Sequence, residues 1–182
     1  MVTNVTGDTF QRGGNPKSAG NGIQFQFGNV ANETGQNIQI LDNEISNIST
    51  PNATARTTAV GINVLPRGND IDLEIRGNTL TGIEAGSSSS GDERARAITV
   101  DTQDDATNGF GRVDGVTISE NTFDGITAAD QVWTVALFED SGLDPREGVE
   151  NFSITRNEVD NLSAPDAWRA PGTVFAGGHE AL

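Results

Sequence analysis

The chain has no cysteine and no tyrosine, and its single lysine is Lys17. The lack of cysteine excludes disulfides and thiolate metal sites. With 26 acidic and 11 basic residues the net charge is -15, which disfavours nucleic acid as a partner because phosphate binding needs clustered Lys and Arg. No apolar run approaches the ~20 residues that a membrane-spanning helix needs. An acidic chain almost free of lysine is typical of salt-adapted proteins. An ordinary acidic secreted protein is the alternative.

The chain does contain an internal repeat. One motif occurs five times, as VTNVTGDTF, NIQILDNEI, IDLEIRGNTL, VTISENTF and FSITRNEV. Aligned copies share a polar column of Asp8, Asn43, Asn78, Asn121 and Asn157. An apolar residue stands three positions before each member of this column, and another stands two positions after it. Repeats of roughly this length indicate a solenoid, in which each unit stacks on the next.

A second element lies between the copies of the motif. It reads GIQFQF, GINVLP, AITVDT, WTVALF and GTVFAG, with Ile23, Ile62, Ile98, Trp133 and Thr173 as the aligned column. Both elements alternate apolar and polar residues with period 2, which is typical of half-buried strands. No segment shows a convincing helical period. We therefore expect an all-β parallel β-helix of about five coils, formed by residues 1–182 as one domain.

The asparagine column has a structural interpretation. Asparagine tolerates the left-handed backbone conformation that tight turns need, and it hydrogen-bonds neighbouring backbone. Stacked asparagine side chains can also bond one another along the solenoid. We therefore expect Asn43, Asn78, Asn121 and Asn157 to stack at one corner and to serve the fold rather than a functional site.

The pattern I-x-I-x-x-N-x-[FLI]-x-x-I in residues 116–126 resembles the right-handed parallel β-helix repeat of the pectin-lyase-like superfamily. The resemblance covers nearly the whole chain. It implies a right-handed solenoid and an extracellular or cell-surface location, although the N-terminus shows no signal peptide. Neither end offers an amphipathic cap, so we expect a segment of a longer solenoid, with neighbouring coils or a capping chain as partner.

Two long loops, DTQDDATNGFGRVDG and EDSGLDPREGVE, follow equivalent strands on adjacent coils. Counting from Ile98 and Trp133 places Asp104 beside Glu139 and Asp105 beside Asp140. Three interpretations remain open for this acidic edge. It is a pair of solvated loops, a Ca²⁺ site formed by Asp104, Asp105, Glu139 and Asp140, or a catalytic site.

The resemblance also implies candidate catalytic residues. Pectate-lyase-like enzymes bind Ca²⁺ through acidic residues and use Arg or Lys as a base, whereas polygalacturonase-like enzymes use clustered Asp. On this basis the candidate catalytic residues are Asp101, Asp104, Asp105 and Arg146, although the ordered lyase motifs are not visible.

Aromatic residues offer little for a sugar platform. Trp133 falls on the inward column and is expected in the core, and the regularly spaced phenylalanines are expected to form core stacks: Phe10, Phe25, Phe27, Phe123 and Phe152. Two functions remain. The first is a secreted or surface module that presents an acidic, Ca²⁺-dependent face to glycans or proteins. The alternative is a lyase or glycoside hydrolase acting on an acidic polysaccharide.

Overall fold

The computed structural model describes residues 1–12, 15–27, 36–66, 69–102, 112–139, 148–165 and 172–178, and these residues form strands and no helix. The strands are β1 (Val2–Thr6), β2 (Asp8–Arg12), β3 (Asn15–Phe27), β4 (Gln36–Leu41), β5 (Glu44–Ser49), β6 (Arg56–Pro66), β7 (Asn69–Arg76), β8 (Thr79–Glu84), β9 (Asp92–Thr102), β10 (Arg112–Ser119), β11 (Thr122–Thr127), β12 (Gln131–Glu139), β13 (Gly148–Thr155), β14 (Glu158–Ser163) and β15 (Gly172–Gly178).

The strands form three sheets that run along one solenoid. Sheet A has the order β1-β5-β8-β11-β14, sheet B has the order β15-β12-β9-β6-β3-β2, and sheet C has the order β13-β10-β7-β4. Each coil contributes one strand to each sheet, as β6, β7 and β8 do. Neighbouring strands are parallel in every pair except β2 with β3. The predicted all-β parallel solenoid is therefore confirmed.

The number of turns is smaller than expected. Sheet C holds four strands separated by three steps along the axis, so the described chain completes about three turns rather than five. The prediction counts one coil for each of the five motif copies, whereas the first copy forms β1 in sheet A and β2 in sheet B and contributes no strand to sheet C.

The predicted core columns are confirmed in sheets C and A. Ile40, Ile75, Ile118 and Ile154 lie side by side along sheet C. Ile45, Leu80, Phe123 and Val159 do so along sheet A. In the middle coils these side chains are fully buried. Stacking identical positions at one strand spacing therefore builds a continuous apolar column that no single coil could bury alone.

The asparagine column stacks as expected, but the left-handed residue of each turn is its predecessor. Asn43, Asn78, Asn121 and Asn157 bond one another from coil to coil. The preceding residues adopt positive φ, between 53° and 69°: Asp42, Gly77, Glu120 and Arg156. The prediction that the asparagines themselves are left-handed is wrong, because a residue that donates and accepts along the stack needs its side chain directed inward.

The predicted sheet of the first motif copy is wrong. The alignment places Val5 in the column of Ile40, but β1 pairs with β5, so that Val5 lies opposite Ile48 and Val2 lies opposite Ile45. Asp8 begins β2, which folds back antiparallel on β3. The error has a simple cause. VTNVT alternates apolar and polar residues in the same way as ISNIS of β5, and period 2 does not distinguish one sheet of the solenoid from another.

The third-strand column is correct for the first three coils and wrong afterwards, by two residues at β12 and by one residue at β15. Ile23, Ile62 and Ile98 pair as expected. In the next coil the partner of Ile98 is Val135 rather than Trp133, and β15 continues the column with Val174 rather than Thr173. Two expected core phenylalanines are also largely exposed, since Phe25 is 38% and Phe152 is 49% exposed, whereas Phe123 is buried.

Candidate functional site

The predicted acidic edge lies mostly outside the described residues. Asp104, Asp105, Asp140 and Arg146 are not among them. The backbone of Glu139 is described, and it lies opposite Thr102 rather than opposite Asp104. The predicted register is therefore wrong by two residues on the β9–β12 pair, because Val135 rather than Trp133 is the partner of Ile98. Whether these carboxylates form a Ca²⁺ site stays a prediction.

Asp101 is the candidate catalytic residue that the structure describes. It lies on β9 opposite Phe138 of β12 and is only 6% exposed. Its neighbours Val100 and Leu137 belong to the core between the sheets, so Asp101 alternates to the outer side of sheet B.

An arginine is enclosed by two aromatic rings on the same outer side. The Arg96 guanidinium carbon lies 5.2 Å from the ring centre of Trp133 and 4.3 Å from that of Phe138. The two rings meet edge to face, with centres 6.2 Å apart. Trp133, Phe138 and Ala136 form a buried cluster separate from the main core. The expectation that Trp133 belongs to the inward column is therefore wrong, although the side chain is buried.

The environment of Arg96 disfavours its charge. Burial, followed by the nearby charge of Arg94, lowers the pKa of Arg96 to about 9, and the charge of Asp101 acts in the opposite direction. The residue is 7% exposed, and its Nε atom has no hydrogen-bond partner among the described residues. Thr99 Oγ1, also on β9, is likewise buried without a partner in that part of the chain. Cation–π contact compensates part of this cost.

Asp92, Arg56 and Arg94 form a second charged group on the outer side of sheet B. Asp92 accepts hydrogen bonds from Arg56 Nε at 2.7 Å and from Arg94 Nε at 2.6 Å. Burial alone raises the pKa of Asp92, but the hydrogen bonds and charges of the two arginines outweigh burial and lower that pKa. In a strongly acidic protein, three of the basic residues are thus gathered on the outer side of sheet B.

Sheet C carries a different surface. An open groove of about 290 Å³ crosses its outer face from β4 to β10, and its lining is polar apart from Leu73: Asn37, Gln39, Asp72, Leu73, Glu74, Gly115 and Thr117. Glu74 is held in place, since Gln39 Nε2 donates to one carboxylate oxygen and Arg76 Nε donates to the other, both at 2.9 Å. The hydrogen bond to Glu74 and then its charge raise the pKa of Arg76.

Backbone conformation shapes the centre of this groove. Asp72 is left-handed with φ 62°, and Gly115 in the next coil has φ 85°. A Cβ at Gly115 would lie 2.8 Å from Asp72 Oδ1, so the missing side chain leaves the carboxylate accessible from the groove. The groove therefore presents carboxylate, amide and hydroxyl groups on rigid strands.

In the described part of the chain, no group of three His, Cys, Asp or Glu residues is arranged to hold a metal ion. None of the described segments is a helix long and apolar enough to cross a membrane.

Sequence reasoning missed both described sites. For Arg96 the alternation of ERARAITV carried a signal, because it places Arg94 and Arg96 on the side of the strand opposite the alanines. For the groove, the sequence offers one indication, namely that Asp72 and Gly115 each precede an apolar residue in equivalent strands. This indication can be used only once the pairing of β7 with β10 is known.

No protein-family model matches the chain, and neither a curated protein nor a solved structure matches it. The parallel β-solenoid is therefore established from the coordinates alone.

Proposed function

We propose that the protein is a secreted or cell-surface binding module of the pectin-lyase-like superfamily whose sheet C groove binds a glycan. The observation that carries this proposal is the open polar groove with two carboxylates, Asp72 and Glu74, at its centre. Sugar hydroxyl groups are hydrogen-bond donors, and carboxylate acceptors form the stronger, charge-assisted bonds with them. The net charge of -15 and the carboxylates of the groove favour a neutral glycan over an acidic one.

The experiment is calorimetric titration of the protein with neutral and acidic polysaccharides. The groove variant combines Asp72→Asn with Glu74→Gln, which keeps side-chain shape and removes both charges. We expect it to bind about tenfold more weakly or worse, since a hydrogen bond to a charged group contributes roughly 1.5–3 kcal/mol. The matched control combines Glu84→Gln with Glu158→Gln, which removes two exposed carboxylates from sheet A. Equal affinity of the two double variants, or no binding by the wild type, would reject the proposal.

A Ca²⁺-dependent face is part of this proposal and rests on the acidic loops. If the two loops bring the carboxylates of Asp104, Asp105, Glu139 and Asp140 together, each would raise the pKa of the others unless a cation lies among them. Ca²⁺ would then stabilise the folded protein by about 2.7 kcal/mol at a hundredfold excess over its dissociation constant. Thermal melts with Ca²⁺ and with EDTA at fixed ionic strength test this. The gain should vanish when Asp105→Asn is combined with Asp140→Asn. Absence of a gain in the wild type would remove Ca²⁺ from the proposal.

A polysaccharide lyase or hydrolase is the second candidate function. The observation that favours it is the placement of Asp101 and Arg96 on the same outer side of sheet B, with the pKa of Arg96 lowered to about 9. An arginine that gives up its proton more easily suits the base role that the resemblance implies. Wild type and Asp101→Asn would be incubated with a polysaccharide panel, following unsaturated-product absorbance and reducing ends. Activity that falls about a hundredfold in the variant supports this function, and an inactive wild type rejects it.

A further inference from the structure

The sequence contains the motif Asn-x-Ser/Thr six times, and this motif accepts N-linked glycans in the surface loops of secreted proteins. Its asparagines are Asn4, Asn32, Asn47, Asn52, Asn151 and Asn161. Asn32 lies outside the described residues, and the other five asparagines are exposed. Exposure alone does not separate a glycan acceptor from a structural asparagine, so the surroundings of each side-chain amide must make the distinction.

Four of these motifs are consequences of the fold. Their asparagines lie on strands and have positive φ, between 51° and 56°: Asn4, Asn47, Asn151 and Asn161. In sheet A the next two coils place Gly82 and Gly125 at the position of Asn47, also with positive φ. In the motif of Asn47 the middle residue, Ile48, belongs to the core, and strand alternation then puts the hydroxyl residue on the outer side. Such a strand spells the motif without any modification being implied.

The amides of the strand asparagines are also engaged with neighbouring coils. Three of them donate Nδ2 to a side-chain oxygen at 2.6–3.0 Å: Asn47 to Asn4, Asn151 to Asp114 and Asn161 to Asp124. Asn47 lies on β5, which is paired with β1 on one edge and with β8 on the other. A transferring enzyme must bind the backbone around its acceptor, so the strand would have to open first.

Asn52 differs from the strand asparagines. It lies in the loop between β5 and β6, and Thr54, the hydroxyl residue of its motif, is exposed in the same loop. Asn52 Oδ1 accepts the backbone N–H of Ser87 at 2.9 Å, which fixes the amide, whereas Nδ2 has no hydrogen-bond partner in the described part of the chain. A group attached to Nδ2 would therefore leave the contact with Ser87 intact.

The loop of Asn52 lies within the stack and not at its end. The carbonyl of Ser49, just before the loop, accepts the N–H of Gly7 in the preceding coil, and Ala53 N–H donates to Ser87 O in the next coil. Coils are thus present on both sides of this loop. The exposure of Asn52 is at the side of the solenoid, so it does not depend on where the chain begins or ends.

We propose that Asn52 is an N-glycosylation site of the folded protein and that the four strand asparagines are not. The co-reactant is an oligosaccharide carried on a lipid pyrophosphate. Asn52 Nδ2 bonds to the anomeric carbon as the bond from that carbon to the phosphate oxygen breaks. The lipid pyrophosphate leaves with the electron pair, and one Nδ2 proton passes to a base of the transferring enzyme. This inference rests on the secreted or cell-surface location in the proposed function and not on the sheet C groove.

The test compares the folded full chain with a protease digest of it, in which every motif is unfolded. Both are incubated with a single-subunit oligosaccharyltransferase and a lipid pyrophosphate-linked oligosaccharide. Amidase release in water labelled with heavy oxygen converts each modified asparagine to labelled aspartate, which peptide mass spectrometry locates. We expect comparable modification of Asn47 and Asn52 in the digest. In the folded chain Asn52 should be modified at least about tenfold faster than Asn47, because a local opening cost of about 1.4 kcal/mol already gives that ratio.

Variants of the full chain assign the modification to the motif. Thr54→Ala should abolish modification of Asn52 and Thr54→Ser should retain it, whereas Ser49→Ala, the equivalent change in the motif of Asn47, should leave Asn52 modified. Circular dichroism checks that each variant folds. An unmodified Asn52 in the folded chain, equal rates at Asn47 and Asn52, or modification that survives Thr54→Ala overturns the proposal. The assay needs neither export nor ligand binding by the groove, so its failure is distinct from failure of the calorimetric titration.

Discussion

Asn78 and Asn121 are joined by a double hydrogen bond that crosses from one coil to the next. The backbone N–H of Asn78 donates to Oδ1 of Asn121 at 2.9 Å, and Nδ2 of Asn78 donates to the same oxygen at 3.0 Å. Asn121 Nδ2 in turn donates to Ile75 O at 3.0 Å. Both asparagines are fully buried, so the backbone N–H of Asn78 depends on Asn121 Oδ1 for its acceptor.

Replacing Asn121 by leucine should therefore destabilise the protein strongly. The change removes the acceptor of the backbone N–H of Asn78 and the donor to the carbonyl of Ile75, whereas Asn78 Nδ2 keeps its hydrogen bonds to Ile40 O and Arg76 O. A buried polar group that loses its partner costs roughly 1–3 kcal/mol. We expect a total loss of about 3 kcal/mol in urea unfolding. Asn43→Leu is the matched control, since the structure places no donor on its Oδ1 among the described residues, and it should cost about 1 kcal/mol. Equal losses in the two variants would contradict the ladder.

Gly61 and the next residue of β6, Ile62, both face the core. A Cβ at Gly61 would lie 2.4 Å from a methyl group of Leu80 and 2.7 Å from the carbonyl oxygen of Ala97. Backbone cannot move aside as a flexible side chain can, so Gly61→Ala should cost about 2–3 kcal/mol by overpacking. Gly91→Ala is the control. Gly91 has φ 69° with nothing within 4 Å, and its cost should stay near 1 kcal/mol from conformation alone. Chemical denaturation of both variants measures the difference.

Replacing Arg96 by methionine should leave stability unchanged or raise it by about 1 kcal/mol. Methionine keeps apolar contact with Trp133 and Phe138 and removes a desolvated charge and an unpartnered Nε. The lost cation–π contact is worth about 1–2 kcal/mol and is outweighed. Arg156→Met, at an exposed ion pair with Glu120, is the charge-matched control and should change stability by less than about 0.5 kcal/mol. A clear loss in Arg96→Met alone would show that the cation is structural.

Asp92 should contribute to acid sensitivity. Its pKa is lower in the folded protein than its ordinary value of 3.8, so its stabilising effect is complete above that value and is lost as pH falls through the lower folded pKa. Asp92→Asn should therefore destabilise the protein by about 1 kcal/mol at pH 7, after allowance for solvent screening. Its stability should also fall less steeply than that of the wild type below about pH 4. Glu84→Gln, an exposed carboxylate on sheet A, should reproduce neither effect in urea titrations across this range.

Salt should stabilise the protein. At a net charge of -15, self-repulsion opposes compaction, and counterions screen it as ionic strength rises. Thermal midpoints in low and in molar NaCl measure the effect. Equal midpoints would remove the argument for salt adaptation.

The repeat alone predicted the solenoid and the columns of sheets C and A. Ile75 and Ile118 are 43 residues apart and Asn78 and Asn121 are equally far apart, and both pairs lie side by side as the alignment required. Such columns can be read from a sequence because only one side of each strand is apolar. A slip of one residue would then expose the whole column, so the pattern itself specifies the register.

Sheet B was harder to read because both of its sides are buried near β12. Trp133 and Val135 are both apolar, but Trp133 packs against Arg96 outside the main core, whereas Val135 lies within it. Alternation carries no information about which side faces inward when both sides are apolar. Val135 rather than Trp133 takes the inward position because Val135 pairs with Ile98 of the preceding coil. That contact joins residues far apart in the chain.

The fold class, the asparagine ladder and the apolar columns of sheets C and A were therefore predictable from the repeat, because stacking one repeated unit makes equal positions in the sequence neighbours in space. Which residues meet on the outer faces depends on the three-dimensional structure. Arg96 comes to lie between Trp133 and Phe138, and Glu74 between Gln39 and Arg76. Outer faces are free of the core's periodic constraint, so their contacts depend on register and on backbone conformation at single residues, and the candidate functional surfaces lie on those faces.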